Sequence, residues 1–364
     1  VENENAFKNL INAKVVQKYL SVHCKDKKAI NKVILQLNDL ELRARVQLIA
    51  NELKNYLDAD FTKAIKQLVQ ITRSQKMRSF ELWPATEFIQ LYGLDHIEES
   101  FEVMQELTPK FTAEFCVRPF INKHGVVIYK KLHKLKSHPD EHIRRWVSEG
   151  TRPRLPWGEK LKNAVLDPSH GLDLLESLKF DSSLYVRKSV ANHLNDISKD
   201  HPQKVVQTLK RWAQEVPKNY ENEFRFIVHR ALRTLIKNGD PQALSLVGVK
   251  SQDKVLSCSE PKIKNKKIKI GESVEFSFSI KNKSSKKIKY LIDFVIYYKK
   301  SNGDLSPKVF KLKSGYIEGH ETLNMTKKVS FRPITTRTYH LGEHRLALKV
   351  NGTEKLAVSF VLGH

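Results

Sequence analysis

The period of the apolar residues changes once along this chain, near Gly248, and that change restricts the fold to helices followed by strands. Before it, apolar side chains recur at three and four, as in Val33, Ile34, Leu37 and Leu40, and again in Ile65, Leu68 and Val69. This is the spacing of one helix face. After it they alternate: Val274, Phe276, Phe278 and Ile280; then Tyr290, Ile292, Phe294, Ile296 and Tyr298; then Leu346, Leu348 and Val350. Asn351-Gly352 comes next, followed by Leu356, Val358, Phe360 and Leu362. Asn-Gly between alternating runs predicts a tight hairpin, because both residues accept a positive φ. About seven strands are expected between Pro261 and Leu362, an antiparallel β-sandwich of immunoglobulin-like size. The expected layout is a helical domain over 1–248, a linker over 249–260 and the sandwich over 261–364: a multidomain chain, α then β.

One octet recurs in the helical part: an acid or Ser, two residues, an apolar residue, Arg, two residues, an apolar residue. It starts at Glu114, Asp140, Ser183 and Glu221 and places Arg118, Arg144, Arg187 and Arg225 in register, at intervals of 26, 43 and 38 residues. The last two intervals match a HEAT-like helical pair. Stacked pairs build a solenoid with one concave face. The repeated arginines either tie helices to neighbouring carboxylates or line that stack for an anionic ligand. Arg145, Lys188 and Arg230 beside them favour the ligand.

The 364 residues suffice for two cores. Net charge is +24, and residues 251–364 hold +13 of it, from 20 Lys and 3 Arg against 10 acids. Such a balance points to nucleic acid or an anionic membrane surface, and a partner touching both parts is the simplest account. Ten lysines between Lys262 and Lys289 read as solvated strand edges, as phosphate contacts, or both. No apolar run is long enough to cross a bilayer, and the first ten residues lack a secretory pattern. Cys24, Cys116 and Cys258 are too scattered for a metal cluster or disulfide framework, which suits the cytosol. The 14 histidines show no metal-ligand spacing, so no metal is expected.

The segment from Asp140 to Gly158 is the densest in chemistry. Arg144, Arg145, Arg152 and Arg154 surround a single carboxylate, Glu149, and the strip ends in Trp157. Four guanidiniums would bind a polyanion better without the acid. Glu149 is therefore either a structural partner of the arginines or a group meant to meet a positive charge. Asp140 predicts a helix N-cap and Gly150 its stop. Ile143, Trp146 and Val147 form the apolar stripe, which puts Arg145 and Glu149 on the opposite side, away from the core. Pro153 and Pro156 hold the following strip extended, presenting Arg152, Arg154 and Trp157. Trp83, in Glu81-Leu82-Trp83-Pro84, is a second aromatic candidate for the same surface.

The stretch from Ile143 to Trp157, with those of Thr112–Phe120, Val186–His193 and Phe224–Ile236, resembles the HEAT-like DNA glycosylases of the AlkC/AlkD group, the AlkC branch with a C-terminal immunoglobulin-like domain. The resemblance spans most of residues 1–248. It implies a monofunctional hydrolase that excises cationic bases such as 3-methyladenine, 3-methylcytosine and 1-methyladenine in base excision repair. It implies Glu149 and Glu114 as the catalytic carboxylates, Trp157, Arg145 and Arg152 around them, and Arg187 holding the backbone near the lesion. It implies no cofactor. Double-stranded DNA is the expected partner, contacted by Arg118, Arg144, Arg154, Arg187, Lys188, Arg225, Arg230 and Trp83. A monomer without obligate protein partner, in the cytoplasm at a bacterial nucleoid, is the expected setting. The alternative is a non-catalytic helical-repeat scaffold for nucleic acid.

Overall fold

The structure, a computed structural model, describes residues 7–250, 255–335 and 337–364. The linker expected over 249–260 thus lies partly outside the described residues. The helices are α1 (Ala13–Leu20), α2 (Lys27–Gln36), α3 (Leu42–Leu53), α4 (Phe61–Ser74), α5 (Trp83–Tyr92), α6 (Ile97–Leu107), α7 (Val117–Leu135), α8 (Glu141–Gly150), α9 (Lys162–Leu166), α10 (Ser169–Leu178), α11 (Leu184–Ile197), α12 (Pro202–Gln214), α13 (Glu221–Ala231), α14 (Arg233–Asn238) and α15 (Pro241–Leu246). The strands are β1 (Leu256–Cys258), β2 (Lys262–Ile263), β3 (Lys267–Lys269), β4 (Ser273–Asn282), β5 (Ile288–Lys299), β6 (Leu305–Ile317), β7 (Thr322–Ser330), β8 (Gly342–Val350) and β9 (Thr353–Gly363). Among the described residues no helix is long and apolar enough to cross a membrane.

Two compact units result. The first is Val1–His201 with Val216–Ile227; the second is Pro202–Glu215 with Val228–His364. In the first, Asn12, Asp26, Asp60, Asp140 and Ser183 each cap a helix by accepting a bond from a first-turn backbone N–H, a contribution of about 1 kcal/mol apiece. The octets lie at the starts of α7, α8, α11 and α13, and the first residues of two of them, Asp140 and Ser183, are caps. Glu114 is not. It lies in a turn, and α7 begins only at Val117, with Cys116 at the N-cap position making no side-chain bond. Its carboxylate is left for other work.

Helix α8 buries Ile143, Trp146 and Val147 as the stripe predicts. The opposite side is covered as well, contrary to expectation. Glu149 is only 5% exposed and Arg145 is half-buried, because α8 packs on α7, α10 and α11 together. Stacked repeats enclose an inner helix from both sides, so a polar face there signals an internal polar contact rather than solvent.

The second unit carries two sheets. In one, β4 pairs with β7 along one edge and with β1 and β2 along the other; the second runs β3-β9-β8-β5-β6. Pairing is antiparallel except β3 with β9. Val274, Phe276, Phe278 and Ile280 of β4 face Tyr290, Ile292, Phe294, Ile296 and Tyr298 of β5 in one core with Leu346, Leu348 and Phe360. Asn351 (φ 47°) and Gly352 (φ 81°) make the hairpin turn between β8 and β9. The other face of β5 is also covered: Leu291, Asp293 and Val295 are buried. Helix α14 ends at Gly239 (φ 84°), where an added Cβ would meet the Gly352 carbonyl oxygen at 2.4 Å. Lys349 donates to the carbonyl of Lys237 at 2.6 Å and Lys289 to that of Val247 at 2.8 Å. The sheet and the last short helices therefore fold as one body.

Candidate active site

The end of α8, the turn before α7 and the middle of α11 bring two carboxylates and two guanidiniums together. Arg145 Nη1 donates to Glu114 Oε2, and Arg145 Nη2 lies 3.5 Å from Glu149 Oε1. Arg152 Nη1 donates to the same Glu149 oxygen at 2.6 Å, while Arg152 Nε donates to Asp196 Oδ2 at 2.9 Å. The second Glu149 oxygen accepts from Ser189 Oγ at 2.6 Å. Thr112 Oγ1 bonds Glu114 at 3.2 Å. The Arg145 guanidinium lies 5.1 Å from the centre of the Tyr185 ring, a cation–π contact that fixes its plane. Thr112 and Tyr185 also line a cavity of about 210 Å³ with Lys110 and His142.

Electrostatics follow from burial and pairing. Burial pushes Glu114 above the ordinary carboxylate range, against the pull of Arg145, and Glu149 nearby adds to the rise. Burial opposes the charge on Arg152, but Glu149 and then Asp196 outweigh it and raise its pKa. His193, fully buried behind Ser148, is driven down to about 3 by burial and then by Arg152. It is neutral, with Nδ1–H donating to the Ser148 carbonyl at 3.0 Å. A cation or transient cation placed here would find carboxylates that are ordered and already stripped of water.

The strip after α8 is anchored from beneath. Arg118 is fully buried, and its guanidinium donates to the carbonyls of Glu159, Gly150 (3.0 Å), Arg152 (2.8 Å) and Pro153 (3.5 Å). Burial, then the neighbouring Arg152, lowers its pKa to about 10. Arg118 was expected to touch DNA; it instead holds the main chain of the strip. At the outer end Trp157 is 68% exposed with φ 65°, a left-handed conformation that a bulky side chain rarely adopts. Arg43 donates to its carbonyl at 3.2 Å.

The register arginines divide. Arg144 forms a two-bond pair with Asp181 (2.6 and 2.9 Å) and donates to the carbonyls of His138 and Pro139. Arg187 makes the equivalent backbone bonds, to Asp181 and Ser182 at 2.7 Å each. Each reaches the loop five and six residues before it, so at these two positions the repeated Arg is a loop brace. Arg154 pairs with Asp200 at 2.9 and 2.7 Å. Lys188 and Arg225 are exposed, and Arg230 is half-buried. Trp83 is corrected outright: it is buried, with its ring 5.5 Å from that of Phe115 and 6.1 Å from that of Phe111. Sequence reasoning missed Ser189, Asp196 and Tyr185. No signal in the pattern of α8 marks them, because Ser189 and Asp196 come from the facing helix α11, 40 and 44 positions beyond their partners. Among the described residues, no group of three or more His, Cys, Asp or Glu is placed to hold a metal.

Fold and site define a helical-repeat protein with an acid–arginine cluster and an immunoglobulin-like C-terminal part. Residues 257–364 match the family model described as the C-terminal Ig-like domain of the uncharacterised protein YhaZ. YhaZ of Bacillus subtilis is 38% identical over 328 residues, covering 88% of this chain and 87% of its own. The structure of the Pseudomonas fluorescens alkylpurine DNA glycosylase AlkC, bound to DNA containing an abasic site analog, superposes with a TM-score of 0.89 at 29% identity, covering 99% of this chain and all of that one. The chain belongs to the AlkC-like family, together with YhaZ.

Proposed function

We propose that this protein is a monofunctional DNA glycosylase that removes positively charged N-alkylated bases, of the 3-methyladenine, 3-methylcytosine and 1-methyladenine class, from double-stranded DNA. The observation that carries this reading is Glu114 and Glu149, two buried carboxylates held by arginines, one of them excused from helix capping. The likeness to a DNA-bound alkylpurine glycosylase supports it. A cationic base is already an activated leaving group. As the N-glycosidic bond breaks, its electron pair neutralises the ring and leaves an oxocarbenium-like sugar. Glu149, oriented by Arg152 and Ser189, stabilises that charge and orients water for attack at C1′. The water proton passes to a carboxylate and then to solvent, leaving a neutral base and an abasic site. Inverting glycosidases divide acid and base roles between two carboxylates; here no acid is required. Trp157 stacks at the lesion, Arg187, Lys188, Arg225 and Arg230 meet phosphate, and the protein acts as a monomer in the cytoplasm, on the nucleoid.

Incubation with N-methylated duplex and identification of released bases tests the proposal. Wild type should yield methylated bases and abasic sites. Glu149→Gln should lower release at least about a hundredfold with DNA affinity nearly unchanged. The scaffold reading is favoured by one observation, that both Glu149 oxygens are already bonded within the fold. Tight DNA binding without abasic product would establish it.

A further inference from the structure

The second unit carries a half-open cavity of about 610 Å³, within the range of small-molecule sites. It lies over the outer face of β5, between that face and α14. Ile236 and Leu291 supply apolar wall, and the exposed Arg233, Lys237 and Lys311 supply cations. Asp293 lines it while only 7% exposed.

The state of Asp293 is unusual. Lys311 and Lys349 flank it in register on the two neighbouring strands, yet neither pairs with it. Lys349 turns to the Lys237 carbonyl instead. Among the described residues Asp293 accepts no hydrogen bond and forms no ion pair. Burial pushes its carboxyl above the ordinary range, while Lys349, Lys311 and Lys237 pull it down. Its oxygens are not among the sealed, unsatisfied polar atoms, so they open into the cavity it lines, and an occupant there should bring donors to replace water. The surrounding cations oppose a metal ion and favour a ligand with an anionic end. The wall favours an apolar body, and two carboxylate oxygens favour two parallel N–H groups.

Guanine carries such a pair, N1–H and N2–H, on one edge of a flat ring. We propose that this cavity binds a guanine nucleotide, with the N1–N2 edge on Asp293 and the phosphate on Lys237 and Lys311. The same chemistry reaches the cavity from two sources, a free nucleotide or a phosphorylated guanosine at a nucleic-acid end. The proposal is independent of the reading of Glu149.

Calorimetric titration of the full chain with GMP and AMP tests it. Saturable GMP binding is expected, at least about tenfold tighter than AMP. Asp293→Leu should abolish that preference. Lys311→Ala, at an exposed position, should weaken both nucleotides and leave the preference intact, which keeps the test decisive if the Asp293 variant fails to fold. No GMP binding at millimolar concentration, equal affinity for GMP and AMP, a GMP preference surviving in Asp293→Leu, or unchanged affinities in Lys311→Ala would each overturn it. Competition by a duplex with a 5′-phosphoguanosine overhang, but not a 5′-phosphoadenosine one, assigns the source to nucleic-acid ends; competition by neither assigns it to the free nucleotide.

Discussion

Glu114 and Glu149 share Arg145 but differ in their remaining neighbours, and the difference has consequences in pH. Glu114 has only Arg145 and Thr112 against the cost of burial, which keeps its pKa above the usual value. If the ionised form works, base release fails as pH falls through this raised pKa, so the acid limb of kcat/KM should lie above the ordinary carboxylate value near 4.5. Stability runs the other way. The folded state holds this proton more tightly than the unfolded state, so folding gains as pH falls through the folded pKa, fully below 4.5. Thermal unfolding of wild type against Glu114→Gln should therefore shift in favour of wild type on acidification, and the Gln variant should lose the elevated acid limb. Trp157 provides a second test at this scale. Its left-handed backbone opposes folding while its exposed ring adds little burial. Trp157→Gly should melt within about 1 kcal/mol of wild type, on the stable side, yet lose base release. A fully active Gly variant would remove the ring from the mechanism.

At the scale of elements, the strip from Thr151 to Leu161 has two arginine anchors of very different weight. Arg118 satisfies carbonyls from below, in the dry interior. Arg118→Ala would leave those carbonyls without donors, and a loss of several kcal/mol is expected by chemical denaturation. Arg154 holds Asp200 near the surface, with side-chain exposures of 33% and 26%, so Arg154→Ala should cost less than about 1 kcal/mol. Similar losses in the two variants would refute this division. The arginines also show where the sequence could be read and where it could not. Their period was plain, and so were the cap at Asp140 and the stripe of α8. Their partners were hidden, because backbone carbonyls are the same whatever the residue, and a carboxylate 37 positions away, as Asp181 is from Arg144, leaves no local mark. Of the two readings the repeat left open, ties within the fold or a ligand surface, Arg144 and Arg187 show the first as loop braces. The same blindness put Glu149 at the surface: the pattern of one helix does not record the helix stacked on its polar side.

Over the whole molecule, the change of period at Gly248 located the passage from helices to strands, and Asn351-Gly352 located a hairpin. The apolar residues on both sides of the alternation, Leu291 with Ile292 and Phe294 through Tyr298, interrupted only by Asp293, were the available sign that β5 is covered on both faces, and α14 lies over the outer one. Cutting the chain after residue 255 would strip α12, α14 and α15 of that support. Such a truncation should expose hydrophobic surface and lower the melting temperature of what remains, rather than leave a clean helical domain, as dye binding and scanning calorimetry would show. Duplex binding by the intact chain should weaken at least a hundredfold between about 50 and 200 mM salt, given its charge of +24; a flat response would argue against phosphate as the main contact. The abutment of Gly239 on Gly352, too close for a methyl group on either, reaches further still. A gene fusion that exchanged only the strands would carry in a foreign hairpin against an old helix end. Lineages that trade this part as a module should take the short helices with it, so the heritable seam is expected well upstream of the first strand.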